Sequence, residues 1–307
     1  MKQSTASLLF LFCLLTAPML AQPTIGGGTC NSASLSGVYA VSITGRQVTT
    51  NPPAAGIYAG VFQANGTAGF DGLNKVIISL AANTNQAVGT QLTWSGTYSV
   101  QANCAGVMNI TAGGSATLRL ALYDGGTDFQ VSGSDANFTY SGSGNTQPTT
   151  ACSAGTFLGV YTFTGTGFAL TSGAVSGAEN GTGLLQFDGV SKVTVNVTMS
   201  AGGAAPSALV LTGSYSMSAN CLGSATLTDA SANAYVMSFS VYNNTTVSTT
   251  AFYTTLAQSP QFLVAGSSHV VYGQPAASAM RRRSGNILEA GTAAKPSSGL
   301  TDGRKRA

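Results

Sequence analysis

Two aspartates occupy matching positions in this chain, within Phe70-Asp71-Gly72 and Phe187-Asp188-Gly189. Two carboxylates that meet between lobes can share one proton and activate a water molecule for hydrolysis. Dyads of that kind place Thr or Ser between Asp and Gly, whereas Gly follows Asp directly in both copies here. Because Asp and Gly both tolerate the backbone of a tight turn, the motif predicts two hairpin turns and no catalytic dyad.

The other ionisable groups offer no better catalytic arrangement. His269 is the one histidine and the sequence has no Gly-x-Ser-x-Gly motif, so we expect a surface histidine on a late strand. A glycosidase needs two carboxylates about 5 to 10 Å apart, and Glu179 is the only Glu between residues 22 and 280. The segment Asp124-Gly-Gly-Thr-Asp128 is more typical of a hairpin loop than of a calcium site. We therefore predict no catalytic, cofactor-binding or metal-binding residue.

Four cysteines remain when Cys13, in the apolar N-terminal segment, is set aside. Four cysteines allow three pairings, and the simplest one for a duplicated chain joins Cys30 to Cys104 and Cys152 to Cys221. Such bridges form in an oxidising compartment. A zinc site, the alternative, would need Cys-x-x-Cys or paired His spacing, which the sequence lacks.

The N-terminus has the features of a secretory signal peptide. Lys2 supplies the positive end, residues 8–15 form an apolar run, and Ala21 is a small residue before the cleavage point. This run is shorter than the roughly 20 apolar residues that a membrane-spanning helix needs, and no later segment approaches that length. We expect residues 1–21 to be removed and the mature protein to be secreted, periplasmic or at the cell surface, without a membrane span.

The net charge of +3 for the whole chain does not describe residues 22–280, which are called the body here. Seven of the 12 Lys and Arg residues follow residue 280, whereas four basic and seven acidic residues lie between 22 and 280. A nearly uncharged, slightly acidic body has no basic face for a phosphate backbone, so nucleic acid is not an expected partner. Residues 276–307 combine the basic cluster with the lack of an apolar period, which predicts a disordered tail.

The strongest pattern in the chain is an internal repeat. Gly37-Val38-Tyr39 and Gly45 recur 122 residues later, and matching positions from Phe70 to Gly106 recur 117 residues later. The change in spacing indicates that five residues were lost between Gly45 and Phe70 in the second copy. The predicted organisation is a Gly-rich lead-in at 22–29, a first copy at 30–145, a linker at 146–150 and a second copy at 151–275.

Alternating hydrophobic residues predict β-strands within each copy. Examples are Val193, Val195, Val197 and Met199 in one run and Leu118, Leu120 and Leu122 in another. Turn signals separate the runs at Asn65-Gly66, Asp71-Gly72, Asp124-Gly125, Asn180-Gly181 and Asp188-Gly189. The sequence predicts two tandem antiparallel all-β domains of seven or eight strands each, with a closed barrel as first choice and a two-sheet sandwich as the alternative.

The repeated motif consists of Cys, Gly-x-Tyr, Phe-Asp-Gly, Gly-Thr/Ser-Tyr-Ser and Asn-Cys-x-Gly, and it covers Cys30 to Gly106 and Cys152 to Gly223. It resembles a group of uncharacterised secreted bacterial proteins with small β-barrel domains. It is also similar to the calycin-like barrels, which include the allene-oxide-cyclase type. Immunoglobulin sandwiches place a core Trp between their cysteines. Trp94 fits that position in the first copy, but the second copy has no Trp. The resemblance implies a barrel fold and no assigned activity.

The repeated positions are turn formers, strand aromatics and cysteines, which preserve a fold and do not form an active site. We expect an exported, non-catalytic protein with a binding or structural role at the cell envelope or outside the cell, and with cell-wall polymer or polysaccharide as its partner. A second hypothesis is a carrier of a small apolar ligand in a barrel cavity, and a third is a barrel isomerase or cyclase. A filled interior would argue against the carrier.

Overall fold

The structure is a computed structural model that describes residues 29–47, 60–85, 87–202, 204–244, 249–258 and 261–272. In these ranges the chain forms sixteen β-strands and three short 3-10 helices. The predicted signal peptide (1–21) and basic tail (276–307) lie outside the described residues.

The first copy folds into a closed antiparallel barrel, called barrel 1 here. Its strands are β1 (Ser36–Gln47), β2 (Val61–Asp71), β3 (Lys75–Thr84), β4 (Thr90–Val100), β5 (Ala105–Ala112), β6 (Ala116–Tyr123), β7 (Asp128–Ser134) and β8 (Phe138–Thr146). Each strand pairs with the next along the chain, and β8 closes the ring by pairing with β1.

The second copy forms barrel 2 with the same up-and-down order. Its strands are β9 (Leu158–Thr171), β10 (Ala174–Asp188), β11 (Lys192–Ala201), β12 (Ser207–Met217), β13 (Leu222–Thr228), β14 (Ala234–Asn244), β15 (Thr249–Gln258) and β16 (Phe262–Tyr272). Here β16 pairs with β9 to close the ring. The prediction of two tandem all-β domains is confirmed, and the closed barrel is the correct alternative.

The predicted alternation gives each barrel its core. Leu118, Leu120 and Leu122 are buried in barrel 1, and the run from Val193 to Met199 is buried at every second residue in barrel 2. Successive side chains of a strand point to opposite faces, so one set fills the interior and the other lies outside. A closed ring also leaves no strand edge unpaired.

Both predicted disulfides are present. Cys30 is bonded to Cys104, and Cys152 is bonded to Cys221. Each bridge ties the segment before the first strand of a barrel to the turn after its fourth strand. The second cysteine of each pair has the same left-handed backbone, with φ of 64° at Cys104 and 63° at Cys221. We call this end of each barrel the disulfide end, and the opposite end the far end.

Aromatic rings close the disulfide end in both copies. The cluster comprises Tyr39, Phe70, Tyr98 and Phe129 in barrel 1, and Phe157, Tyr161, Phe187, Tyr215, Phe239 and Phe252 in barrel 2. The hydroxyl of Tyr98 donates to the carbonyl of Leu35, and that of Tyr215 donates to the carbonyl of Ala154. These bonds hold the segment before the first strand over the packed rings.

The far ends of the two barrels differ. In barrel 1 the rings of Phe62, Trp94 and Tyr140 lie with centroids 5.7 to 5.9 Å apart. Strand pairing places Glu179, Leu211 and Val264 at the equivalent positions of barrel 2. Three rings fill the far end of barrel 1, and smaller side chains leave space at the far end of barrel 2.

Two of the five predicted turns are wrong. Asn65-Gly66 lies within β2 and Asn180-Gly181 lies within β10. A Cβ at Gly66 would lie 1.9 Å from the carbonyl oxygen of Ser79 on the adjacent strand, so Gly serves close packing there and makes no turn. The three Asp-Gly signals do mark hairpin connections between strands.

Strand pairing also locates the difference in length between the copies. Gly45 pairs with Phe62 in barrel 1, and Gly167 pairs with Glu179 in barrel 2. The five extra residues of the first copy therefore lie in the connection between β1 and β2. Residues 48–59 of that connection lie outside the described residues.

The two barrels pack against each other through outward faces that are polar and buried. The Asn65 side chain donates to the Tyr253 carbonyl at 3.2 Å and accepts from the Ser238 hydroxyl at 2.5 Å. The Asn83 amide donates to the Thr255 hydroxyl at 3.0 Å. A small apolar cluster of Val61, Phe168, Leu170, Ala257 and Leu263 completes the contact. Because buried polar groups need partners, these bonds fix how the barrels meet.

Candidate functional sites

The two Phe-Asp-Gly motifs form the predicted hairpin turns. One carboxylate oxygen of Asp71 accepts hydrogen bonds from the backbone N–H groups of residues 73, 74 and 75, at 2.8 to 2.9 Å. Asp188 repeats this pattern with residues 190, 191 and 192. The N–H donors hold the pKa of both carboxyls below its usual range, and Gly72 and Gly189 have positive φ. Both aspartates stabilise turns and sit on separate barrels.

The other residues considered for chemistry are also dispersed. His269 is exposed on β16, with its ring centroid 6.4 Å from that of Tyr242, as predicted for a surface strand histidine. Asp124 begins a short 3-10 turn between β6 and β7, which confirms the hairpin-loop interpretation. Within the described ranges, no group of three His, Cys, Asp or Glu residues could hold a metal ion.

The interiors of both barrels are filled. Tyr39 and Val41 are 2% exposed and Phe163 is 1% exposed. The predicted alternating valines of β11 are equally buried. These buried side chains occupy the centre of each barrel, and the cavities of about 310 to 500 Å³ lie between the barrels or at the far end of barrel 2.

A groove runs along the junction of the barrels. It consists of two adjoining cavities of about 420 and 310 Å³. The two cavities share Thr44 from β1, Ser141 from β8 and Thr166 from β9. Further hydroxyls come from Ser42, Ser143, Thr139, Thr164 and Ser267, and an amide comes from Asn180. Both barrels therefore supply hydrogen-bonding groups to one surface.

Aromatic rings and one cation flank these hydroxyls. The Tyr253 hydroxyl, from barrel 2, shares a hydrogen bond of 2.8 Å with the Ser143 hydroxyl of barrel 1 and bonds Asn145 as well. The Arg46 guanidinium lies 5.1 Å from the centroid of the Phe168 ring, across the junction. The groove thus offers many neutral hydrogen-bonding groups beside one cation.

A separate cavity of about 500 Å³ opens at the far end of barrel 2. Apolar side chains from four elements, including Leu170, Met199, Leu209 and Phe262, form much of its wall. Among its polar lining residues, Glu179 of β10 and Gln258 of β15 are each only 6% exposed. Neither residue has a counterpart of the same type in barrel 1.

The buried polar groups of this cavity differ in their hydrogen-bond partners. The Tyr235 hydroxyl donates to Asp229 at 3.0 Å, and burial together with this carboxylate raises the pKa of Tyr235 to about 12. Burial raises the pKa of Glu179, with no opposing contribution from a nearby cation. The buried Oε1 atom of Gln258 has no hydrogen-bond donor among the described residues.

Sequence reasoning identified Glu179 as unusual but did not place it in a cavity. The signal was present in the repeat, since the spacing of 117 residues matches Glu179 with Phe62. The groove between the barrels was missed because its residues are Ser, Thr and Gly, which the sequence uses throughout. These common residues form a candidate site only because the two barrels pack together at this position.

Comparison with protein-family models finds no match, and comparison with curated proteins finds none either. No helix within the described residues is long and apolar enough to cross a membrane. The two disulfides fit an extracellular or periplasmic location.

Proposed function

We propose that this chain is an exported, non-catalytic binding protein that holds a neutral polysaccharide in the groove between its barrels. The observation that carries this proposal is the continuous surface of hydroxyls that both barrels contribute, centred on Thr44, Ser141 and Thr166. Hydroxyl and amide groups can donate and accept hydrogen bonds, as the hydroxyls of a sugar do. The polysaccharide is accordingly a polymer of the cell wall or of the extracellular surroundings.

The shape and charge of the groove support a chain-like neutral ligand. From Ser42 to Arg46, β1 runs along the groove for about 13 Å at roughly 3.3 Å per residue. The groove is open along its side, so a polymer can pass through it without threading an end. Phe168 and Tyr253 also line the groove, but both rings are buried, so the hydroxyl and amide groups supply most of the surface for a ligand.

Export is the second part of the proposal. It rests on the N-terminal sequence, which has the pattern of a signal peptide, and on the two disulfides. The resemblance of the repeat motif to secreted bacterial barrel proteins points in the same direction. An oxidising compartment outside the cytoplasm is where such bridges persist.

Retention on insoluble polysaccharides tests the binding activity. The full chain is incubated with cellulose and with chitin, which are both neutral, and bound protein is measured after washing. Thr164→Trp and Ser141→Trp place a bulky ring in the groove at exposed positions of β9 and β8. We expect retention of the parent protein on at least one polymer and at least tenfold weaker retention of both variants.

Asn196→Trp is the matched control, because Asn196 is exposed on β11 and does not line the groove. This variant should be retained like the parent protein. Equal retention of the groove variants, or no retention of the parent on any polymer, would refute the proposal. Retention that disappears in 1 M salt would instead assign binding to the basic residues after residue 280, because salt screens charge.

A further inference from the structure

The far end of barrel 2 contains a buried amide oxygen that lacks a donor, Gln258 Oε1, and a largely buried carboxylate, Glu179. Glu179 and Gln258 are each 6% exposed and line the same cavity. Gln258 Oε1 has no hydrogen-bond donor within the described ranges, and no described basic group offsets the burial of Glu179. A buried acceptor without a donor costs about 1–3 kcal/mol, and more when it is charged, so both groups favour a ligand that donates.

The other polar side chains that line the cavity are Tyr235 and four exposed ones, Thr171, Ser176, Ser207 and Gln261. The Tyr235 hydroxyl donates to Asp229, so its proton is already engaged. Tyr235 and Asp229 are also the other titratable groups at this end of the barrel within the described residues. The described residues thus leave Gln258 Oε1 without a donor, and a bound molecule with N–H groups would supply one.

The side chains that line the cavity indicate which other chemical groups the bound molecule has. Met199, Leu209 and Phe262 present apolar surface within a volume of about 500 Å³, which is the size of a small-ligand site. Two oxygen ligands are too few for calcium, which takes six to eight. An ammonium group has three N–H donors and no acceptor, which suits a carboxylate and an amide oxygen.

We propose that the far end of barrel 2 binds a primary amine that carries an apolar substituent. The ammonium group donates to the Glu179 carboxylate and to Gln258 Oε1, and the substituent packs against the apolar walls. This site goes beyond the proposed polysaccharide groove and does not depend on it.

The comparison between the two copies argues that the cavity is a specialised feature. Barrel 1 fills its far end with the rings of Phe62, Trp94 and Tyr140. If only stability mattered at this position, barrel 2 would also fill its far end with large side chains, because filling a void adds packing contacts. Barrel 2 instead has a carboxylate, Glu179, at the position of Phe62.

The test is calorimetric titration of the full chain with cyclohexylmethylamine and with its neutral analogue cyclohexylmethanol. We expect the amine to bind at least tenfold more tightly than the alcohol at pH 7. Glu179→Gln keeps the size of the side chain and removes its charge, and it should weaken amine binding at least tenfold. Gln258→Leu should weaken it less. Equal affinity for amine and alcohol, or an unchanged affinity in Glu179→Gln, would overturn the proposal.

A second measurement follows the carboxyl group itself. The chain has two Glu residues, Glu179 and Glu289, so carbon-13 labelling of glutamate gives two side-chain carboxyl signals in an NMR titration. Loss of one signal in Glu179→Gln assigns it. We expect Glu179 to titrate above the usual value of about 4.3, and the amine to lower its pKa by ion pairing. A Glu179 signal that the amine leaves unmoved would contradict the site.

The two proposals can fail separately. Glu179→Gln should leave retention on polysaccharides unchanged, because Glu179 does not line the groove. Likewise, Thr164→Trp should leave the binding of the amine unchanged.

Discussion

At the residue scale, identical residue types have different roles on neighbouring positions of one strand. Gly66 and Gly69 both lie on β2, three residues apart. A Cβ at Gly66 would lie 1.9 Å from a backbone oxygen, whereas at Gly69 the nearest atom would be 3.8 Å away. Only the first position requires glycine.

We therefore predict opposite outcomes for two alanine substitutions. Gly66→Ala must move the backbone of β3 and should lower the free energy of unfolding by about 2 kcal/mol or more. Gly69→Ala should change it by less than about 0.5 kcal/mol. Urea unfolding of both variants measures the difference, and equal stability of the two would contradict the close approach described for Gly66.

The turn aspartates predict the response of stability to acid. The pKa of Asp188 is lower in the folded protein than in the unfolded chain, because three N–H groups stabilise its charged form. Its contribution is therefore complete above the unfolded value of about 3.9 and is lost as the pH falls through the lower folded value.

Asp188→Asn removes that titrating group. The variant should be less stable than the parent at pH 7, and its melting temperature should fall less steeply between about pH 4 and pH 2. Thermal melts across this range provide the measurement. Parallel melting curves for parent and variant at every pH would show that the turn carboxylate does not contribute.

At the element scale, the sequence predicted the strands and their closure better than it predicted the roles of polar positions. Alternating Leu and Val residues identified β6 and β11 correctly because their inner and outer faces differ in polarity. Asn65-Gly66 failed because turn propensity and close strand packing use the same residues. The groove and the Glu179 cavity could not be derived, since both depend on which side chains several strands bring together.

The disulfides act at this scale, because each one joins a terminal segment to a strand connection. Replacing Cys152 and Cys221 together by Ala should lower the stability of barrel 2 by about 2–5 kcal/mol. Denaturant unfolding, followed by the near-ultraviolet signal of the aromatic cluster, measures the loss. The corresponding double replacement of Cys30 and Cys104 should lower the stability of barrel 1 to a similar extent. An unchanged midpoint in both variants would contradict this role.

At the scale of the whole molecule, the polar junction makes the two barrels one unit. Two independent domains would expose polar outer faces to water, whereas Asn65, Asn83 and Ser238 are buried here and bonded across the junction. This junction partly explains the low charge of the two barrels. Burying uncharged amides and hydroxyls costs less free energy than burying ions.

Asn65→Leu tests the junction. The substitution leaves the carbonyl of Tyr253 and the hydroxyl of Ser238 without their Asn65 partner, and each such loss costs about 1–3 kcal/mol. We expect a lower melting temperature by calorimetry. Asn196→Leu, at an exposed position of β11, should change the stability by less than about 0.5 kcal/mol. A variant at Asn65 as stable as the one at Asn196 would argue against the junction.

The connectivity of the cysteines has a consequence for biogenesis. Each cysteine of the two barrels pairs with the next one along the chain, Cys30 with Cys104 and Cys152 with Cys221. A chain that emerges from its N-terminus therefore presents the correct partners in order, and barrel 1 can be complete before the third cysteine appears. We therefore expect that an oxidase that joins cysteines consecutively makes both native bonds without an isomerase to rearrange them.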